Sequence, residues 1–340
     1  MKTRLPGIDL LRTAAIFIMI IANASPYLVK GTISYEFRLF CSLAAPVFIF
    51  LSGFVLSISI KPGEKNWAKW RNAGYLIATG TFIDSVIWGI KPFNTFDILY
   101  LIGFSLLINL AIINCSLVLK GIICIAIILI HIILNSDVTY RFANNDILLA
   151  NSLQAEHLFE FKRLFLDGWF PLFPWLSFSV LGSIIGDIYK KKWLKNYIIF
   201  FCLFACVLSA IYLVNNPIAQ GIRNGYVELF YPVELPYLLF TTTLTLVVSM
   251  AAIQILYLPS FFSHIAKLGE QSLFVYVLHT VLISFVLQPL AKAEISVNPI
   301  YSYSIFILVI YVLVKGLQFL LKKNYLEFIP NPIRQILGLR

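Results

Sequence analysis

The chain alternates between long apolar runs and short polar segments. Wound as an α-helix, an apolar run of about 20 residues crosses the hydrocarbon core of a bilayer. The pattern shows no internal repeat, and it predicts an all-α polytopic membrane helix bundle of about ten transmembrane helices. One integral membrane domain over residues 1–340 accommodates them all. The predicted spans are residues 9–29, 39–60, 70–90, 97–114, 117–134, 170–189, 196–214, 236–257, 268–290 and 300–321.

The first run is unusual because polar side chains follow one of its faces. Arg12 and Asn23 are eleven residues apart in the sequence. That is about three helical turns, so they share a face and lie about 16 Å apart along the axis. Asp9 precedes Arg12 by one turn, near the same stripe. Because unpaired polar groups are costly in hydrocarbon, we expect the stripe to face protein or a water-filled cleft. The structural alternative is that these groups only anchor and pack the helix.

The composition excludes a soluble protein, with 60% hydrophobic residues and a mean hydropathy of +0.87. The net charge of +10 does not indicate a nucleic-acid partner, because the basic residues lie in short segments between apolar runs. With the N-terminus inside, 18 of the 26 lysine and arginine residues fall on the inner side. The positive-inside rule then predicts that both termini are cytoplasmic. The five cysteines lie within apolar runs, which favours packing over disulfides or a metal site.

Three polar residues fall near mid-bilayer in three different predicted spans, namely Asn23, Asp84 and His279. Ionisable groups at that depth are functional-site candidates, and burial can give such a group the shifted pKa that a general base needs. We therefore assign His279 as base or proton relay and Asp84 as its orienting partner. Asn23 with Ser25 would then supply polar donors. Hydrogen bonding between helices is the alternative, and His157 in a predicted external loop is a second candidate base.

A basic cluster lies at the predicted inner surface. Lys69 and Arg71 stand beside Trp67 and Trp70, on the side where Arg12 begins the polar stripe. Such cations can hold the phosphates of a nucleotide-like cofactor. Orientation and anchoring at the membrane interface are the alternative explanation.

Four segments of the chain resemble the transmembrane acyltransferase superfamily: IDLLRTAAIFIMIIAN, APVFIFLSGF, FPWLSFSVLGSIIGDIY and LGEQSLFVYVLHT. This group includes the acyltransferase-3 enzymes and the heparan-α-glucosaminide N-acetyltransferase-like proteins, and the similarity runs over residues 5–290. Arg12 matches the first-span arginine of the family. Asn23 stands where acyltransferase-3 enzymes carry a histidine, which agrees better with the glucosaminide branch. That branch places its histidine in the next loop, but here Tyr27–Phe40 contains none.

The resemblance implies a membrane-embedded enzyme that takes an acetyl group from cytoplasmic acetyl-CoA and passes it to a sugar on the outer side. The expected partners are membrane lipids, acyl-CoA and a cell-envelope glycan or lipid-linked sugar, in the cytoplasmic membrane; a homo-oligomer is compatible with this picture. No metal is expected. A transporter or flippase of an envelope precursor is one alternative. A non-catalytic relative that has lost the histidine is another.

Overall fold

The structure is a computed structural model, and every regular element in the part of the chain that it describes is helical. The described residues are 5–29, 31–60, 66–142, 163–194, 196–218, 227–231, 233–293, 298–323, 325 and 328–336. Within these ranges, three π-helical turns occur at Ile83–Ile87, Arg163–Asp167 and Ile283–Leu287. The α-helices are α1 (Pro6–Leu28), α2 (Tyr35–Cys41), α3 (Ala44–Ser59), α4 (Trp67–Phe82), α5 (Ile98–Ala111), α6 (Leu117–Phe142), α7 (Leu172–Lys190), α8 (Asn196–Asn215), α9 (Leu235–Gln254), α10 (Ser260–Glu270), α11 (Ser272–Leu282), α12 (Gln288–Lys292), α13 (Pro299–Lys322) and α14 (Asn331–Ile336).

Eight helical segments among the described residues are long and apolar enough to cross a membrane. Two further predicted spans correspond to α5, which has only 14 residues, and to α4 with the π turn that follows it. The predicted class, an all-α polytopic membrane bundle, is therefore confirmed. Ten crossings and cytoplasmic termini stay predictions.

Two of the differences between the predicted spans and the observed helices arise from local turns. The second span begins at Tyr35 rather than 39, and a turn at Ser42 and Leu43 divides it into α2 and α3. The ninth span, predicted from 268, begins at Ser272, because residues up to Glu270 belong to the separate helix α10. The prediction missed α10 because the short segment after Pro259 is less apolar than the spans that flank it.

Small residues let α3 and α7 pack with their backbones in contact. A Cβ atom added at Gly53 would lie 1.8 Å from the Ser179 carbonyl oxygen, and one at Gly182 would lie 2.0 Å from the Phe50 oxygen. At Gly186 it would meet the Ser57 side chain at 2.7 Å. The Gly182-x-x-x-Gly186 spacing predicts this kind of close helix contact, and the structure confirms it.

A buried ion pair joins α6 to α7. The Lys120 ammonium is fully buried and donates to Asp187 Oδ2 at 2.6 Å, while Ser57 Oγ donates to Asp187 Oδ1 at 2.6 Å. The Lys190 ammonium lies 3.5 Å from the same carboxylate. Lys120 is therefore not a surface charge but holds two helices together inside the protein.

The outer wall of the bundle exposes apolar side chains where lipid would lie. Helices α6, α8 and α13 carry this surface, whereas α1, α3 and α7 are mostly buried. Apolar residues on all sides are expected for helices that contact hydrocarbon. Representative exposed side chains are Val118, Ile133, Phe200, Phe201, Ile300 and Ile305.

Candidate active site

One face of α1 lines two cavities. Arg12, Met19 and Asn23 follow one another at steps of seven and four residues, which place all three on one face of a helix. Arg12 and Met19 line one cavity, and Met19 and Asn23 line the other. The expectation that Arg12 and Asn23 share a face turned toward a cleft is confirmed.

The inner cavity, named for the predicted cytoplasmic end, has a volume of about 320 Å³. It lies between α1, α3, α4, α5 and the start of α11, and both Arg12 and Lys69 line it. Arg12 Nη1 lies 3.5 Å from Asp9 Oδ1 and from the Gly269 carbonyl oxygen, so α10 helps to fix its position. The other polar lining residues are Ser52, Ser59, Asn72, Tyr75, Glu270, Gln271, Ser272 and Tyr276.

Arg71 does not join this group. It is exposed and does not line the inner cavity. Two residues correspond to 200° of rotation on a helix, so Lys69 and Arg71 point to different sides of α4. The predicted grouping of Arg71 with Arg12 and Lys69 is therefore not formed.

The outer cavity is smaller, about 90 Å³, and its wall is mainly apolar and aromatic. The polar side chains on it are carboxylates, one amide and hydroxyls rather than cations, and they include Asn23, Asp97, Glu228 and the tyrosines Tyr27, Tyr231 and Tyr276. No lysine, arginine or histidine is found among the described residues that line it. Its chemistry is therefore opposite in sign to that of the Arg12 and Lys69 pair.

The two cavities adjoin. Met19, Phe48, Ile98 and Tyr276 line both of them, and we call these four residues the partition. The partition is the place where a group bound in the inner cavity comes closest to a group bound in the outer cavity.

His279 is fully buried and holds Asn23 instead of facing either cavity. Its Nδ1 lies 3.2 Å from the Val275 carbonyl oxygen, and its Nε2 lies 2.9 Å from Asn23 Nδ2. A carbonyl only accepts, so Nδ1 of the neutral ring carries the proton and Nε2 accepts from the asparagine amide. The Nε2 lone pair is thus engaged, and His279 is placed to position Asn23 rather than to take a proton from a substrate.

Asp84 has partners other than the predicted one. Its carboxylate accepts hydrogen bonds from Thr95 Oγ1 and Tyr100 Oη, both at 2.9 Å, and it lines neither cavity. The predicted pairing with His279 is not formed, because the π turn that carries Asp84 directs it to the loop before α5. Ser25 also turns away, since its hydroxyl contacts Tyr303 Oη at 2.7 Å and lies 200° around α1 from Asn23.

Asp97 lines the outer cavity, and the sequence analysis did not select it. Its Oδ1 accepts from its neighbouring Ile98 amide at 2.6 Å, as a helix N-cap does. Its Oδ2 accepts a hydrogen bond from the hydroxyl of the partition residue Tyr276. An aspartate directly before the apolar run ILYLIGF is typical of a helix N-cap. The sequence gives no further sign that this residue also lines a cavity.

The loop that carries Asp97 is held in an unusual backbone conformation. Phe93 and Phe96 have positive φ angles of 63° and 47°, which bulky residues rarely adopt. The Thr95 and Phe96 carbonyls accept hydrogen bonds from the Trp169 and Phe170 amides at 2.8 and 3.0 Å. Strained backbone that neighbouring structure holds in place is common at functional sites.

Glu228 is the second carboxylate that lines the outer cavity. It lies on the segment before α9, and Arg38 Nε donates to the preceding Val227 carbonyl at 2.8 Å. Burial raises the pKa of the Glu228 carboxyl to about 7, although the Arg38 charge opposes the shift. His157 lies outside the described residues. In the described part of the chain, no group of three or more His, Cys, Asp and Glu side chains has the arrangement of a metal site.

The fold is that of a polytopic helical membrane protein, and it holds two adjoining cavities of different chemistry. Comparison with family models assigns it further: the model for the heparan-alpha-glucosaminide N-acetyltransferase catalytic domain matches residues 4–217, nearly two thirds of the chain. The chain belongs to this family. Neither the curated proteins nor the solved structures give a match. Asn23 and Asp97 lie within the matched residues, whereas Glu228, Tyr276 and His279 lie beyond them.

Proposed function

We propose that this protein is a membrane-embedded acetyltransferase that receives acetyl-CoA in the inner cavity and acetylates a sugar of the cell envelope in the outer cavity. The observation that carries the proposal is the partition, where two cavities of different chemistry meet inside a chain of an acetyltransferase family. Its setting would be the cytoplasmic membrane, with lipids around α6, α8 and α13.

The inner cavity suits an acyl-CoA donor in its charge and in the apolar character of one wall. Its volume of about 320 Å³, at the lower end of the range of small-molecule sites, suits the acetyl-bearing arm rather than the whole molecule. Arg12 and Lys69 offer two cations for phosphate groups. The apolar wall from Leu51 to Val55 and from Ile98 to Ile102 suits the uncharged arm that carries the thioester toward the partition.

The outer cavity fits an amino acceptor. Asp97 and Glu228 supply two carboxylates, and no basic side chain is found among its described lining residues. Such a wall attracts an ammonium group, and its carboxylates can accept a proton from that group. The family description names a glucosaminide as acceptor, and we therefore propose an amino sugar ahead of a sugar hydroxyl.

Asn23 is the proposed donor to the oxyanion that develops on the carbonyl oxygen. Its amide has two N–H groups, and His279 accepts only one of them. A fixed amide donor of this kind lowers the barrier of acyl transfer by about 3 kcal/mol. His279 would contribute by holding the amide in place.

Transport of an envelope precursor is the second candidate, because adjoining cavities across a thin partition also suit a substrate path. The loop Tyr27–Phe40 lacks the histidine of the glucosaminide branch, which keeps a non-catalytic relative as a third outcome. Both alternatives predict no transfer of acetyl groups, and the non-catalytic relative also predicts no binding of acetyl-CoA.

Donor binding is tested by thermal unfolding of the detergent-purified protein with and without acetyl-CoA. A ligand at 100 times its Kd stabilises the folded state by about 2.7 kcal/mol. We expect stabilisation of the wild type and of Arg71→Ala, and binding about 10-fold weaker or worse in Lys69→Ala, because a charge-assisted contact is worth about 1.5–3 kcal/mol. Arg71→Ala is the matched control, since it removes a charge from the same helix but from outside the cavity. Absence of stabilisation at millimolar acetyl-CoA would refute the donor assignment.

A further inference from the structure

We propose that Asp97 is the catalytic base of this transferase and that Tyr276 relays the proton across the partition between the two cavities. This inference rests on the proposed function. It assigns the base that the loop Tyr27–Phe40 does not provide.

Position is the first reason. The transfer must occur where donor and acceptor meet, and the partition is that place. Asp97 lines the outer cavity directly beside the partition residue Ile98, and its carboxylate accepts a hydrogen bond from Tyr276, another partition residue. A base there reaches an acceptor atom that attacks through the partition.

The other carboxylates and the histidine are placed less well. His279 and Asp84 line neither cavity, and Glu270 lines the inner cavity but not the outer one. Glu228 lines the outer cavity but not the inner one, and it lies in the loop near Arg38 rather than beside the partition. Among the described acidic and histidine side chains, Asp97 thus combines exposure to the acceptor space with a contact to the partition.

The carboxylate is also held in one orientation. The Ile98 amide fixes Oδ1 at 2.6 Å, and the Tyr276 hydroxyl fixes Oδ2. Each carboxylate oxygen has two lone pairs, so one lone pair on each stays available to an acceptor N–H or O–H. The strained turn at Phe93 and Phe96, tied to Trp169 and Phe170, sets the position of the loop.

An acceptor that arrives as an ammonium ion first loses one proton to Glu228, which lines the same cavity, and from there to water. From the neutral amine the step balances with the groups named here. Asp97 takes one proton from the acceptor nitrogen as that nitrogen bonds to the thioester carbonyl carbon. The carbon–sulfur bond breaks with its electron pair going to sulfur. Tyr276 passes its proton to the sulfur and regains one from Asp97. The products are the acetylated sugar and the free thiol of CoA, the carboxylate is regenerated, and nothing is oxidised or reduced.

The test measures acetylation of free glucosamine, the probe acceptor, by the full chain in lipid nanodiscs, with acetyl-CoA stabilisation as the measure of folding. We expect Asp97→Asn to lose about 100-fold or more in kcat while acetyl-CoA still stabilises it. Tyr276→Phe should lose about 10-fold. Tyr303→Phe, which also removes one hydrogen-bonded, half-buried tyrosine hydroxyl but touches neither cavity, should match the wild type.

The outcomes separate the two proposals. If the wild type does not acetylate glucosamine, the proposed function fails for this acceptor class. If the wild type is active and Asp97→Asn stays within threefold of it, the assignment of Asp97 alone is overturned. If Asp97→Asn does not fold, the tyrosine pair decides: equal rates for Tyr276→Phe and Tyr303→Phe overturn the relay, and a selective loss in Tyr276→Phe supports it.

Discussion

The buried pair between Lys120 and Asp187 gives the sharpest prediction about stability. Lys120→Met removes the ammonium from a site with no solvent exposure and leaves a carboxylate whose best remaining partner is Ser57. Removing one partner of a buried ion pair costs about 3–5 kcal/mol. We expect the lower end, about 3 kcal/mol, because Lys190 remains 3.5 Å from Asp187.

Thermal unfolding of the detergent-purified protein, followed by tryptophan fluorescence, measures this effect. We expect Lys120→Met to unfold roughly 5 °C or more below the wild type. The double variant Lys120→Met/Asp187→Leu should recover most of the loss, because replacing both charges by apolar groups is often neutral. A single variant that unfolds with the wild type, or a double variant no more stable than the single one, would refute this reasoning.

Three further predictions follow from the packing and the site. Gly182→Ala should lower the unfolding temperature because its Cβ would lie 2.0 Å from the Phe50 carbonyl oxygen. The control Gly121→Ala has no neighbour within 4 Å of its Cβ and should be neutral or stabilising. Equal unfolding temperatures of the two variants would contradict this packing. His279→Gln keeps a hydrogen-bond acceptor for Asn23, and its rate of glucosamine acetylation should fall less than tenfold. In His279→Leu the rate should fall about 100-fold. Equal rates in the two variants would show that His279 does not act by hydrogen-bonding Asn23. Burial raises the pKa of Glu228 from 4.5 to about 7, so the fold favours the neutral carboxyl. The stability that this group contributes is complete below pH 4.5 and is lost as pH rises from there through 7. From pH 5 to 8 the wild type should therefore lose more thermal stability than Glu228→Gln, and parallel curves would rule this out.

Hydrophobic runs and helix geometry were sufficient to predict most of the fold. The length of each apolar run indicates a span, and the eleven-residue step from Arg12 to Asn23 places both on one face without any tertiary information. The spacing of Gly182 and Gly186 likewise predicts close helix packing without tertiary information. By contrast, α10 and the break between α2 and α3 at Ser42 depend on local turns. The distribution of apolar residues does not predict such turns.

The site was predicted only where position on a single helix decides it. Arg12 and Asn23 lie where the polar stripe puts them, but contacts between helices are not encoded in depth alone. His279 and Asp84 lie at similar predicted depths, yet they do not contact each other. His279 is hydrogen-bonded to Asn23, and Asp84 is hydrogen-bonded to Thr95 and Tyr100. Lys120 and Asp187 are an ion pair 67 residues apart that no local pattern announces.

Asp97 is a candidate site residue that could not be recognised from the sequence. Its sequence context is that of an ordinary helix cap, and only the fold brings Tyr276, 179 residues away in the chain, onto its carboxylate. A residue that serves a local structural role can therefore carry a second role that becomes visible only when distant helices are assembled.

The most direct test of the central claim is sided acetyl transfer in sealed proteoliposomes of known protein orientation. Radiolabelled acetyl-CoA is supplied to the face that carries Arg12 and Lys69, and glucosamine is enclosed on the opposite side. The proposed function predicts labelled N-acetylglucosamine in the enclosed volume, with free CoA appearing on the donor side. Labelled product only on the donor side, or none on either side while donor binding is intact, would contradict transfer through the partition.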